Sequence, residues 1–396
     1  MQKTFIEVLR SSVDDRRALF ETVAAHLETQ AQNVEKDLYV CWVLDFLFNR
    51  RGDDPIGLYF KGGTSLSKAY GLIWRFSEDI DIGIYKADLH VPLEADIAAL
   101  PSVNQQQRAL AEKIDEAARQ YISGPLKALL EKEIAAVEEA AELPGHFTLG
   151  FGFDNYRNRD ALDILVVGYK SVFDSAQNYV QAAVRIEGGA RPDPEPAEPR
   201  EIVPYIADEM PEGMDLAVRN VTTVKPERTF WEKVLILHAM TEMTEKRRED
   251  AHPERPVPDL NKYSRHYYDV HQIWTHPDYG VATASLRDLA EACRQHKELM
   301  FRAPDHRYDR ALPGSYRLVP TPEMRAKLAA DYQRMTAMIF GTPPAFADVI
   351  ASIEALEHHL NAADAGASDQ RSARLITQGS AAGRSAEPGK DTAGPK

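Results

Sequence analysis

The sequence predicts an α+β fold: a mixed sheet with helices over residues 1–224, then an all-helical C-terminal module over 225–364. Three observations carry this. Short β-like runs, alternating or apolar and β-branched, recur up to Val224 and then stop. From Pro226 onward only helical spacing recurs. A chain of 396 residues, 44% hydrophobic and 27% charged, is long for one core and comfortable for two.

The elements follow in order. Helical spacing runs from about Ile6 to Phe48, and its segment VEKDLYVCWVLDFLFN is too apolar for a surface helix, so it is expected deep in the fold. LYF (58–60) is a short β run ending at Gly62 and Gly63. Thr64 to about Trp74 has helical content, and DIDIGIY then alternates like a strand with one buried face. Gln105 to Ala141, rich in Ala, Glu, Lys and Leu, reads as a long helix pair. Three β runs follow, HFTLGFGF (146–153), LDILVVGYK (162–170) and YVQAAVRIE (179–187). The prolines of GGARPDPEPAEPREIVP are expected to forbid regular structure from 188 to 204, before a last β run, DLAVRNVTTV. Helices are expected over ERTFWEKVLILHAM, HYYDVHQIW, ASLRDLAEACRQHKELM, PEMRAKLAADYQRMTAMIF and AFADVIASIEALEHHL. The tail, 365–396, is poor in large apolar side chains and is expected to be disordered.

Composition narrows the function classes. A net charge of −14 argues against broad attraction to nucleic acid or anionic membranes, though it leaves room for a local basic groove. Cys41 and Cys293 are far apart and in no metal-like spacing, so both are read as small core residues. The N-terminus has no apolar signal core and no run reaches membrane-spanning length, so the reading is a cytoplasmic protein. GxSxG is absent.

The chemistry concentrates in FKGGTSLSKAYGLIWRFSEDIDIGI (60–84). Gly62 and Gly63 sit between a strand and a helix, where glycine lets the backbone approach a ligand and unpaired helix amides favour phosphate. Thr64 reads as the N-cap, and Lys68, one turn on, is expected on the same face. The spacing is not that of a Walker P-loop. In a strand, Asp79 and Asp81 share one face while Ile80, Ile82 and Ile84 fill the other. Neighbouring carboxylates repel unless a cation lies between them, and magnesium held by carboxylates and substrate phosphates suits the pair. Each feature alone has a plain structural reading, a capped turn or two solvated acids on an edge strand. Together they point to a nucleotide site.

The combination resembles the DNA-polymerase-β-like nucleotidyltransferases, and among them the AbiEii/AbiGii nucleotidyltransferase toxin family. That family's GGTxLxK pattern is met by Gly62, Gly63, Thr64, Leu66 and Lys68, and its RxSxDxD pattern by Arg75, Ser77, Asp79 and Asp81. Thr64 occupies a position that is serine in the wider superfamily, and fourteen residues separate it from Asp79, slightly more than the common spacing. A later helical lysine is matched by Lys233, and a D-apolar-x-D motif by Asp269, with His266 where the first acid would stand.

The resemblance implies a nucleotidyltransferase-type mixed sheet and Mg²⁺-dependent transfer of a nucleoside monophosphate from an NTP. It implies an RNA acceptor, with transfer RNA the leading case, or a protein target. It also implies an antitoxin encoded alongside, in a type IV toxin–antitoxin or phage-defence pair. In this reading Asp79 and Asp81 hold the metal and carry the chemistry with Lys233 and Asp269, while Gly62, Gly63, Thr64, Lys68 and Ser77 bind the nucleotide. Lys68 and Lys233 neutralise the triphosphate, and Asp269 faces a base or an acceptor group. A third carboxylate is expected on a neighbouring strand, Glu187 in preference to Asp163. Arg228 and Arg265 are further phosphate candidates. Trp231, Tyr267 and Tyr268 are read as core. The rival reading is a nucleotide-binding regulatory subunit that no longer catalyses, which the intact Asp-Ile-Asp speaks against. A metal-dependent phosphohydrolase would want a histidine cluster that the sequence lacks.

Overall fold

The computed structural model describes residues 1–91, 100–154, 159–173, 181–249 and 259–362. The expected disordered tail, 365–396, lies outside them.

The helical opening is three helices rather than one: α1 (Gln2–Arg10), α2 (Val13–His26) and α3 (Ala31–Asn49). Ser12 caps α2 by accepting the Asp15 N–H, which restarts the chain in a new direction. α3 is buried along nearly its whole length, including its charged residues Glu35, Lys36 and Asp37. A buried charge persists only with a partner. Glu35 accepts from Ser171 and the Val172 N–H, Lys36 meets Glu78 at 2.6 Å, and Asp37 meets Lys68 at 2.7 Å.

Seven strands among the described residues form one mixed sheet: β1 (Leu58–Lys61), β2 (Asp79–Ile84), β3 (Phe147–Asp154), β4 (Arg159–Tyr169), β5 (Ala183–Gly189), β6 (Ala197–Ile202) and β7 (Val218–Val224). Their order is β3-β4-β5-β2-β1-β7-β6. The β2–β5 and β1–β7 pairs are parallel and the rest antiparallel. The first pair places β2 in the middle of the sheet. Ile80, Ile82 and Ile84 join Val40, Leu44 and Leu47 of α3 in one buried cluster. Each such side chain contributes about 1.5–3 kcal/mol by leaving water. The opposite face of β2 is thereby left to the aspartates.

β6 corrects the expectation of an irregular 188–204 segment. Its Pro199 stands opposite Thr222 of β7, on the last strand of the sheet. A proline is tolerated there because one side of an edge strand needs no ladder hydrogen bond.

Between the strands lie α4 (Gly62–Lys68), α5 (Val103–Tyr121) and α6 (Lys127–Ala141), the last two joined through a π-helical turn at Ile122–Leu126 that contains Pro125. α4 stops well short of the expected Trp74, since Gly71 takes φ +62° and turns the chain into an extended stretch. After β7 the described residues form helices and no further strand: α7 (Pro226–Glu249), α8 (Ser264–Thr275), α9 (Gly280–Ala284), α10 (Arg287–Met300), α11 (Pro322–Met335) and α12 (Phe346–Ala362). Their apolar faces build a second buried cluster, which includes Trp231, Tyr267 and Tyr268 as expected and also Leu66, Leu72 and Ile73 from the first half. Arg75 pairs with Ile339 in an isolated antiparallel bridge, so the stretch between α4 and β2 is fastened to the helices. No helix among the described residues is long and apolar enough to cross a membrane.

Candidate active site

Register and pleat decide what surrounds the two aspartates. Asp81 stands opposite Lys61 of β1 and in register with Glu187 of β5, while Asp79 is in register with Arg185. In-register residues point to the same sheet face, so five charged side chains gather on one surface. Ile164, not Asp163, is the β4 neighbour of Glu187.

The glycine pair has a steric explanation. Gly62 adopts φ +82°, and a Cβ there would lie 2.1 Å from Asp81 Oδ2. At Gly63 a Cβ would lie 2.5 Å from an Arg75 guanidinium nitrogen and 3.2 Å from Ser77 Oγ. The turn therefore lies flat against Asp81 and Arg75, which only glycine permits. Thr64 is not the N-cap: Lys61 holds that position. The buried Thr64 hydroxyl is instead 2.8 Å from Ser77 Oγ and in contact with the Asp79 carbonyl. It ties α4 to the start of β2.

Helix α7 and helix α8 close the other wall. Lys233 Nζ lies 3.0 Å from Asp269 Oδ2 and 3.4 Å from His266 Nδ1. Asp269 also receives Arg75 in a bidentate pair at 2.8 and 2.9 Å. Burial alone would raise the Asp269 carboxyl, but Arg75 and then Lys233 hold it well below the usual range. Burial lowers Lys233, with Arg75 adding to it and Asp269 opposing. Burial, then Lys233 and Arg265, keeps His266 neutral, so its Nδ1 accepts from the Lys233 ammonium.

Most of these groups line one cavity of about 270 Å³, Thr64, Arg185 and Asp269 excepted. Gly62, Gly63, Ser77, Asp79, Asp81, Glu187 and Lys233 all border it. Four expectations need correction. Thr64 does not border it, its buried hydroxyl being spent on Ser77 and the Asp79 carbonyl. Lys68 does not border it: its ammonium runs back to Asp37, donates to the Val203 carbonyl at 2.9 Å and covers the Tyr205 ring. Asp269 is fully buried and faces Arg75 and Lys233, not an open acceptor position. Arg228 is spent on Asp193 and Glu232, both at 3.2 Å. Lys61 and Lys297 border the cavity without having been singled out. Lys61 was legible, being the residue before the glycines and hence opposite Asp81. Lys297 carries no local signal.

The acids are suited to a divalent cation. Asp79 Oδ1 is buried and makes no hydrogen bond. Burial, then Glu187, Glu78 and Asp81, raises the Asp79 carboxyl to about 6, with only Arg185 opposing. Carboxylates crowded in this way repel one another and offer the hard oxygen ligands magnesium takes. Among the described residues no three His, Cys, Asp or Glu side chains form a ready-made metal site. Glu187 is drawn to Arg185 at 3.3 Å, so the donor set is the two aspartates, to be completed by phosphate oxygens and water.

The profile of the family described as "Nucleotidyl transferase AbiEii toxin, Type IV TA system" matches residues 45–357. That span runs from the end of α3 to the last helix and includes every residue of the cavity. Among solved structures the chain is similar to MenT4, a nucleotidyltransferase toxin from Mycobacterium tuberculosis H37Rv, at 15% identity and a TM-score of 0.29, covering 79% of this chain and 98% of that one. No curated protein matches the sequence.

Proposed function

The chain belongs to the AbiEii family of nucleotidyltransferase toxins of type IV toxin–antitoxin systems, and from that premise we propose that it transfers the nucleoside monophosphate of an NTP to an RNA acceptor, transfer RNA first among candidates, with Mg²⁺ held at Asp79 and Asp81. Membership in the family implies an NTP substrate and an antitoxin partner. A setting in the cytoplasm and a role in phage defence are part of the same proposal. So is the division into an α/β domain, 1–224, and a helical domain, 225–364.

One observation carries the proposal. Asp79, whose buried Oδ1 makes no hydrogen bond and meets Arg185 only at 3.6 Å, and Asp81 face a cavity whose far wall supplies Lys233, Arg265 and Lys297 from the helical half. Crowded acids on one wall thus oppose cations on the other, and a metal–triphosphate complex satisfies both. In the transfer the acceptor hydroxyl oxygen bonds to the α-phosphorus. The bond from that phosphorus to the bridging oxygen breaks, pyrophosphate leaves with the electron pair, and the hydroxyl proton passes to water. A divalent cation on the aspartates would offset the charge that develops on the phosphate oxygens. Lys61, across from Asp81, and Lys233 and Lys297 hold the triphosphate. Gly62 and Gly63 keep the backbone out of the way of Asp81 and Arg75. Ser77, whose oxygen lies within hydrogen-bond distance of the Thr64 hydroxyl, can turn its own proton toward a phosphate oxygen. Lys68 and Asp269 act at one remove, holding α4 and the Arg75–Lys233 pair in place.

Incubation with each α-labelled NTP, Mg²⁺ and a total RNA fraction tests this. Label joined covalently to RNA is expected. NTP binding without transfer to any acceptor would favour the regulatory reading.

A further inference from the structure

Two further cavities adjoin the central one, sharing lining residues with it. The first, of about 270 Å³, shares Asp79 and Arg265 with it and continues along Lys262, Arg334, Met335 and Met338. The second, of about 370 Å³, shares Asp81 and Glu187 and continues along Asp115, Asp163 and Arg191. With the triphosphate in the central cavity, an acceptor must reach the α-phosphate through one of these.

Their charge balance differs once internal pairing is removed. In the first cavity Asp331 is committed: it accepts from the Lys262 N–H at 2.8 Å, the Ser264 N–H at 2.9 Å and the Ser264 hydroxyl at 2.6 Å, and it pairs at 3.1 Å with Arg334, which also donates to Asn261. Glu78 is committed to Lys36 at 2.6 Å. The side chains of Lys262 and Arg265 make no hydrogen bond or ion pair among the described residues. The second cavity is the reverse. Its Arg191 is clamped by Asp115, its Lys61 faces Asp81 at 4.0 Å and its Glu187 is drawn to Arg185, which leaves Asp163 on its wall with no ion pair among the described residues. A polyanion is drawn to the first and repelled by the second.

We infer that the Lys262–Arg334 cavity admits the terminal nucleotide of the acceptor RNA strand and presents its hydroxyl at Asp79. This rests on the RNA-directed transfer proposed above. Exposed Lys262, and exposed Arg334 by exchanging its surface contacts with Asp331 and Asn261, meet the strand's phosphates. Met335 and Met338 supply an adaptable, polarisable wall for the base, the kind of surface that accepts a ring without reading its edge. Arg265, which borders both cavities, lies between acceptor and donor phosphates.

The test uses Lys262→Gln, Arg334→Gln and the double variant. Lys262 has φ +66°, and glutamine keeps that backbone strain unchanged while removing the charge. Transfer is measured with a transfer-RNA fraction and α-labelled NTPs across a salt series, alongside binding of a non-hydrolysable NTP analogue. The double variant is expected to raise the KM for RNA about tenfold or more and to flatten the dependence of log affinity on log salt by about 1.4, two phosphate contacts at about 0.7 each. Affinity for the analogue should stay within twofold, and circular dichroism should be that of the parent. An unchanged KM for RNA overturns the entry route, as does weaker analogue binding with an unchanged KM, which would make this the donor's cavity. Parent protein that labels no RNA at all overturns the proposed function and the entry route together. Labelling by the parent with an unaffected double variant overturns the route alone.

Discussion

Arg75 and Asp269, 194 positions apart, form a bidentate ion pair with N–O distances of 2.8 and 2.9 Å, both side chains buried. Arg75 lies on the stretch that leads into β2, and Asp269 on α8. The pair therefore joins the arm that carries the aspartates to the wall that carries Lys233. Removing Asp269 leaves the buried Arg75 and Lys233 without their shared counter-charge, which costs about 3–5 kcal/mol, whereas removing Arg75 leaves Asp269 with Lys233 at 3.0 Å. Asp269→Asn is expected to lower unfolding free energy by about that amount in urea titrations, and Arg75→Met by less. The double variant Arg75→Met/Asp269→Leu should recover at least half of it. Single variants as stable as the parent would show that the pair is solvated in solution.

Lys233 shares Asp269 but should behave differently. Asp269 keeps Arg75 when Lys233 is lost, and burial already disfavours the Lys233 charge. Lys233→Met is therefore expected to change stability by less than about 1 kcal/mol. Its transfer rate or nucleotide affinity should fall about tenfold or more, on the order of 1.4 kcal/mol. A stability loss as large as that of Asp269→Asn would make Lys233 a packing element rather than a triphosphate ligand.

Gly62→Ala tests the close approach of backbone to carboxylate. A methyl group 2.1 Å from Asp81 Oδ2 at φ +82° must push either the turn or the carboxylate aside. Positive φ alone costs a non-glycine residue about 1–3 kcal/mol. Transfer should fall about a hundredfold or more, while the melting temperature drops by only a few degrees. Activity within threefold of the parent would mean that Asp81 is free to move without consequence.

What the sequence made legible was local. Asp79 and Asp81 alternate with isoleucines, and a two-residue period is enough to place them on one face. The helical C-terminal half was equally readable, because its apolar spacing extends over many turns. Destinations of long side chains were not. Lys68 stands one turn from Thr64, yet its flexible stem ends on Asp37 of α3, a partner chosen by packing. Asp269 looked like a cavity acid until Arg75 arrived from the other half of the chain. β6 escaped because prolines argue against strands in general, and only its edge position removes the objection. Lys61 could have been found from the strand that precedes the glycines, and Lys297 could not.

The last prediction concerns pH and metal at Asp79. Its carboxyl is raised from 3.8 to about 6 by burial and then by Glu187, Glu78 and Asp81. The folded state thus binds this proton more tightly than the unfolded state does. Below about pH 4 both states are protonated and the group costs nothing. As pH rises through 6 the folded protein must carry a repelled, desolvated charge, and stability falls by up to about 3 kcal/mol. Without metal, the protein should gain stability from this group when pH is lowered from 7.5 to 5. Asp79→Asn should be more stable than the parent by about 1–3 kcal/mol at pH 7.5 and should lose that part of the pH dependence. Mg²⁺ offsets the same repulsion, so it should raise the parent's melting temperature at pH 7.5, raise it less at pH 5 where the proton competes, and leave Asp79→Asn nearly unmoved. Thermal melts with and without Mg²⁺, in the absence of nucleotide, read all three effects without reference to activity. An Asp79→Asn protein that is less stable than the parent at pH 7.5, and responds to Mg²⁺ equally, would remove Asp79 from the metal site.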